Sequence, residues 1–181
     1  MIRPRPDPAR REAWALVRRA TVRVVVAVTV LVTAYYLLPA REDGTDLPWF
    51  LASLGIFAAV VAIQVPIIVR SDFPVIRAVE ALSLAIPVFL LMFARGYLSA
   101  SLGDPDAFSQ QLDRTDALYF TVSTFVTVGF GDIVAHSEAM RIAVTVQMIL
   151  DLVVLGAVVR IFASAAKRGL SARDERPDPA A

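Results

Sequence analysis

The residues with the most chemical potential form one short run, Thr124-Phe125-Val126-Thr127-Val128-Gly129-Phe130-Gly131-Asp132. It offers two kinds of oxygen besides the Asp132 carboxylate: threonine hydroxyls and backbone carbonyls. Glycine at alternate positions permits backbone angles that turn successive carbonyls the same way. A row of aligned carbonyls makes an oxygen site for a bare cation. The preceding stretch, Thr115 to Val126, fits a short helix. Asp113 or Thr115 can serve as its N-cap, and Asp116 in the first turn suits the positive helix end. Gly129 and Gly131 then break that helix, and its negative C-terminal end favours a cation beside them.

Other chemistries find little support. The chain has no cysteine, which excludes disulfides and thiolate metal sites. His136 is the only histidine, so a multi-histidine metal site within one chain is excluded. No His/Glu cluster, and no serine with a plausible base, supports a membrane enzyme. Gly129-Phe130-Gly131 is not a dinucleotide fingerprint: no third glycine follows at Val134, and no strand precedes it. Net charge is +1, so no global basic bias points to nucleic acid.

The elements that must position this run are set by hydropathy. Of the 181 residues, 57% are apolar and only 19% charged, against about 45–50% and about 25% in soluble chains. Mean hydropathy is +0.63. A helix needs about 20 mostly apolar residues to cross a bilayer. Four stretches qualify: Ala20 to Leu38, Trp49 to Val69, Val75 to Leu98, and Ile142 to Ala166. A fifth, Ala117 to Val128, is too short to span and suits a re-entrant segment. Such irregular backbone is tolerated at membrane depth only inside protein or against a water-filled cavity. The first stretch is too long for a signal-peptide core, and no small-residue cleavage site follows it before Pro39.

Basic residues mark the cytoplasmic ends of spans. Arg3, Arg5, Arg10, Arg11, Arg18 and Arg19 precede the first span; Arg70 and Arg77 flank the second loop. Lys167, Arg168, Arg173 and Arg176 follow the last span. The first loop carries Glu42, Asp43 and Asp46, and the long third loop carries Asp104, Asp106, Asp113, Asp116, Asp132 and Glu138. Four spans with both termini cytoplasmic satisfy every loop. The organisation expected is a basic N-terminal segment at 1–19, two peripheral helices at 20–70, a pore-like module at 74–168 and a flexible tail at 169–181. The fold class is an all-α membrane protein. Among 18 basic residues only Lys167 is lysine, a bias that suggests a GC-rich bacterial genome.

Thr124-x-x-Thr127-x-Gly129-Phe130-Gly131-Asp132 resembles the signature of potassium channels. The resemblance covers Pro74 to about Arg168, in the family order of outer helix, pore helix, filter and inner helix. In that family, rings of carbonyls replace the ion's hydration shell, the general example of such a filter. The resemblance implies that carbonyls of Thr127, Val128, Gly129 and Phe130, with the Thr127 hydroxyl, coordinate dehydrated K+. Gly131 and Asp132 would shape the outer mouth, with Ser123 and Thr124 in support. Filters of this kind accept phenylalanine at the Phe130 position. One chain supplies one loop, so a homotetramer in the cell membrane is implied, with no cofactor besides the permeant K+. A weakly selective cation channel and a non-conducting partner are the rival readings; Phe130 argues against the first and the intact filter against the second. A transporter built of four fused pore units is a third, and this chain has one such unit.

Several further positions bear on mechanism. Asp151 lies inside the last span, where related prokaryotic channels often carry a hinge glycine. Gly156 is then the substitute hinge candidate. Asp151 has two readings: one of a ring of acids near the cavity that attracts cations, or a buried side chain bonded to Gln147 four residues earlier or to Ser123 across helices. Arg160, nine residues on, falls on the opposite helix face and is expected at the interface with Lys167 and Arg168, where anionic lipid is a candidate partner. Ser123 stands where some relatives pair a glutamate with the filter aspartate. Val134 stands where some place an aromatic ring, and His136 is expected as an exposed loop residue. Pro66 and Pro87 are expected to kink their helices. Neither of the first two spans repeats arginine at every third position, so conventional voltage sensing is not expected. The tail after Ala166 is too short for a folded ligand-binding domain.

Overall fold

The computed structural model describes residues 8–37, 47–70 and 74–174. Arg3 and Arg5, the loop acids Glu42, Asp43 and Asp46, and Arg176 lie outside the described residues. Five helices follow in chain order: α1 (Pro8–Leu37), α2 (Leu47–Val69), α3 (Pro74–Gly103), α4 (Arg114–Phe125) and α5 (Glu138–Asp174). Proline opens both α1 and α3, where its fixed φ suits the first turn and its missing N–H costs nothing. Helix α1 therefore starts well before the span expected from Ala20. Helix α5 runs through Gly156 to Asp174, so the first residues of the expected flexible tail, 169–174, are helical. Pro66 and Pro87 lie inside α2 and α3.

Among the described residues, three helices are long and apolar enough to cross a membrane: Arg18–Leu37, Arg77–Gly103 and Glu138–Ile161. The described apolar stretch of α2, Ala52–Gln64, is shorter. Extended structure among these residues is confined to one isolated bridge between Phe108 and Ala135. The chain is thus an all-helical membrane protein.

Helix α3 is the hub, packing against α1, α2, α4 and α5. Phe89, Phe93 and Tyr97 recur every fourth residue, which stacks them along one helix face. All are fully buried. Phe89 meets Phe57 of α2, and Tyr97 meets Phe108 and Phe120 edge-on at 5.7 and 5.3 Å. Lipid tails are as apolar as these rings, so exclusion from water does not drive such contacts within a membrane. Packing and ring geometry do, at about 0.5–1.5 kcal/mol per aromatic pair. The aromatic stripe thereby fixes where α4 can sit.

Candidate functional site

Helix α4 starts at a complete capping box. The Asp113 carboxylate accepts from the Asp116 N–H at 2.7 Å, and the Asp116 carboxylate accepts from the Asp113 N–H at 3.3 Å. Of the two N-cap candidates, Asp113 takes the role. The helix closes on a tightened turn: Val126 N–H donates to the Val122 carbonyl and Thr127 N–H to the Thr124 carbonyl. Its length and start are both local consequences of sequence.

Beyond that turn the backbone alternates in hand. Thr127, Gly129 and Gly131 have φ of 59°, 52° and 79°. Two are the glycines expected to permit this. Thr127 is the one non-glycine residue with positive φ among the described residues. A β-branched residue in that region is a genuine outlier and costs about 1–2 kcal/mol. Strain of this kind persists where surrounding bonds over-determine it. Here the bonds are visible: the Ser123 carbonyl accepts from both Val128 N–H (3.0 Å) and Gly129 N–H (3.2 Å).

Those bonds set the direction of the carbonyls. In a planar trans peptide, the C=O of one residue points opposite to the N–H of the next. The N–H groups of Thr127, Val128 and Gly129 all point into the end of α4. The carbonyls of Val126, Thr127 and Val128 therefore point away from it, to one common side. Residues 126–132 are exposed in the single chain, Phe130 to 70%.

Side chains brace the same segment. Tyr119 lies one turn before Ser123 on the same face of α4. Its hydroxyl donates to Asp132 Oδ2 at 2.8 Å, and its ring stacks on Phe130 at 6.1 Å and 9°. The bond to Asp132 raises the Tyr119 pKa above its ordinary value. Sequence reasoning missed Tyr119; the signal was its spacing from Ser123. Ser123 itself does not reach Asp151 as one reading proposed. Its hydroxyl donates to the Phe120 carbonyl within α4, because a short side chain on a buried helix face finds its own backbone nearest. The Thr124 hydroxyl likewise donates to the Phe120 carbonyl.

The loop before α4 pins the segment after Asp132. The Ser109 hydroxyl donates to the Asp132 carbonyl and accepts from Val134 N–H, while Ser109 N–H donates to the Val134 carbonyl. His136 N–H donates to the Ala107 carbonyl, and His136 and Val134 are both exposed. Phe108 and Leu112 bury beneath. Ser101 of α3 accepts from Leu112 N–H and holds the loop to the core.

Behind α4, a polar chain crosses three helices. Tyr97 of α3 donates to Gln147 Oε1 of α5 at 2.7 Å. Gln147 Nε2 donates to the Thr121 carbonyl at 3.1 Å and to Asp151 Oδ2 at 3.4 Å. Asp151 is only 2% exposed within the single chain, and its Oδ1 has no hydrogen-bond partner there. The structure thus brings Asp151 to Gln147, which in turn reaches the Thr121 carbonyl of α4. Arg160 is exposed, as its opposite helical phase requires. Gly156 is exposed inside continuous helix.

Long apolar helices thus flank a short helix and an irregular loop. Residues 83–168 match the family model described as "Ion channel", and the chain carries an ion-channel domain over that segment. No curated protein and no solved structure gave a match.

Proposed function

We propose that this protein is the subunit of a potassium-selective channel that conducts K+ passively through residues 127–131. The observation that carries the reading is the alternating hand at Thr127, Gly129 and Gly131, with three successive N–H groups bonded into α4. That geometry turns the Thr127 and Val128 carbonyls to one side, as a site for a dehydrated cation requires. Gly129 and Phe130 carbonyls and the Thr127 hydroxyl complete the coordination by resemblance to the family. Gly131 and Asp132 form the mouth, held by Tyr119.

One chain encloses nothing, so the filter is completed by four copies in a cyclic homotetramer. The exposed polar backbone of 126–132 supports this, because lipid cannot satisfy such groups. Exposed apolar residues on α5, such as Ile142, Ile149, Leu152 and Val153, fit the remaining neighbour and cavity surfaces. Helix α2 crosses the membrane as a fourth span, and both termini face the cytoplasm of a cell membrane. Asp151, bonded behind α4, supports the filter rather than lining a cavity; Gly156 is the hinge candidate on α5.

The test is potassium flux into proteoliposomes holding purified protein, with sodium and Gly129→Asp as controls. Strong potassium-over-sodium flux, lost in the variant, is expected. Equal sodium and potassium flux would establish a weakly selective channel instead. A verified tetramer silent at every pH, voltage and lipid composition would establish a non-conducting partner.

A further inference from the structure

The first helix shows no polar ladder and, on sequence alone, reads as a peripheral, lipid-facing element. Its last turn departs from that. Tyr35 is 6% exposed, and its hydroxyl donates to the Arg114 carbonyl at 2.7 Å. The Arg114 guanidinium donates back to the Tyr36 carbonyl, and the Tyr36 hydroxyl lies 3.4 Å from the Thr115 hydroxyl. Arg114 and Thr115 are the first two residues of α4. Tyr36 is the penultimate residue of α1, so its carbonyl belongs to the unpaired C-terminal set of a helix. A cation there also meets the negative end of the helix dipole. Arg114 therefore satisfies a terminal carbonyl of α1, and the buried Tyr35 hydroxyl finds its acceptor on the first residue of α4. The two tyrosine rings brace each other edge-on at 5.3 Å.

The middle of α1 is tied elsewhere. Arg23 pairs with Glu80 of α3 at 3.6 Å. Helix α1 thus bridges the early part of α3, at Glu80, and the start of α4 inside the matched segment. A displacement of α1 along or across α3 is delivered to the first turn of α4. Because α4 holds the 127–131 segment through its Ser123 carbonyl and through Tyr119, that displacement reaches the filter.

We infer that α1 is a positioning strut for the pore helix, with Tyr35 and Arg114 as positioning residues that set how long the filter stays conductive. This rests on the channel reading above. The step it adds is control of the filter from outside the segment matched by the family, through a junction that removes one hydroxyl or one charge at a time.

The experiment compares wild type, Tyr35→Phe, Arg114→Gln and Arg114→Lys as full chains in planar bilayers, with Thr29→Val as control. The Thr29 hydroxyl bonds only to the Val25 carbonyl of its own helix among the bonds described. Two readouts are taken: single-channel conductive dwell times with the K+/Na+ permeability ratio, and amide hydrogen exchange across residues 114–125. Tyr35→Phe and Arg114→Gln are expected to shorten the conductive dwell roughly three- to tenfold, the range one net hydrogen bond spans. The permeability ratio stays unchanged, α4 amides exchange faster, and Arg114→Lys recovers most of the loss. Unchanged dwell times overturn the inference, whether or not exchange in α4 rises. A changed permeability ratio also overturns it, since the strut would then be part of the selective site. A wild-type tetramer silent in K+ at every pH, voltage and lipid composition overturns the channel reading itself, and is told apart because it fails before any variant is compared.

Discussion

The two ends of α4 are held by different means. At its C-terminal end the bonds are backbone to backbone: three N–H groups of 127–129 meet the carbonyls of Ser123 and Thr124. At its N-terminal end the bonds run through side chains, those of Asp113, Asp116, Tyr35, Tyr36 and Arg114. Backbone bonds fix a conformation that no side-chain substitution removes singly, and here they hold a strained residue, Thr127. Side-chain bonds are separable and each has a modest worth. On the proposed channel reading, the difference divides the labour: an all-or-none selective site at one end and a graded adjustment at the other.

The sharpest way to break the comparison is at Gly129. A Cβ there meets no atom within 4 Å, yet φ is +52°, so Gly129→Ala is penalised by conformation alone. The cost is about 1–2 kcal/mol per chain, and loss of potassium flux is expected with the tetramer intact by size-exclusion chromatography. Retained flux in that variant would mean that the backbone hand does not govern conduction. Opposite the middle of α4, Gln147→Leu on α5 strands Tyr97 and Asp151 at once. Leaving buried polar groups unsatisfied costs about 1–3 kcal/mol each, seen as a lower thermal midpoint. Gln147→Leu with Asp151→Leu recovers part of it, because two matched apolar replacements are nearly neutral.

At the N-terminal end, Asp113→Ala removes the cap for about 1 kcal/mol. A lowered thermal midpoint with an unchanged K+/Na+ ratio is the expected result; a changed ratio would erase the distinction between the ends. Tyr119→Phe sharpens the picture at the filter itself. It deletes the bond to Asp132 and keeps the ring stack, so selectivity is retained. The raised Tyr119 pKa carries a sign. The bond needs the protonated phenol, so it is fully present below the ordinary tyrosine value of 10.0 and fades only as pH rises above it. Currents of wild type are therefore insensitive to this group from neutral pH to 10.0, with decline beyond; Tyr119→Phe lacks that alkaline component. The smallest effect concerns Val134, exposed at the mouth. With no aromatic face for cation–π attraction, external tetraethylammonium block is weak, and Val134→Tyr strengthens it in dose–response recordings.

Much of this was legible in the sequence because the causes are local. Length and hydropathy place α3 and α5, Asp113 and Asp116 spell the cap of α4, and Gly129 and Gly131 announce where a helix must yield to left-handed backbone. The spacing of Gln147 and Asp151 likewise foretells their contact. What the chain order conceals are relations between distant elements. No side chain near Thr127 announces its positive φ, which goes with backbone bonds from Val128 and Gly129 to the Ser123 carbonyl. That Asp151 is buried in the chain, with Gln147 joining it to the Thr121 carbonyl and to Tyr97, is likewise a matter of packing. The contact of Tyr35 and Tyr36 with Arg114 and Thr115 spans 79 positions, beyond the reach of any periodicity. Propensity, capping and glycine freedom act over a few residues and are written in order. Which helix end meets which, and which polar group is left without water, is decided only when the other helices pack around α3.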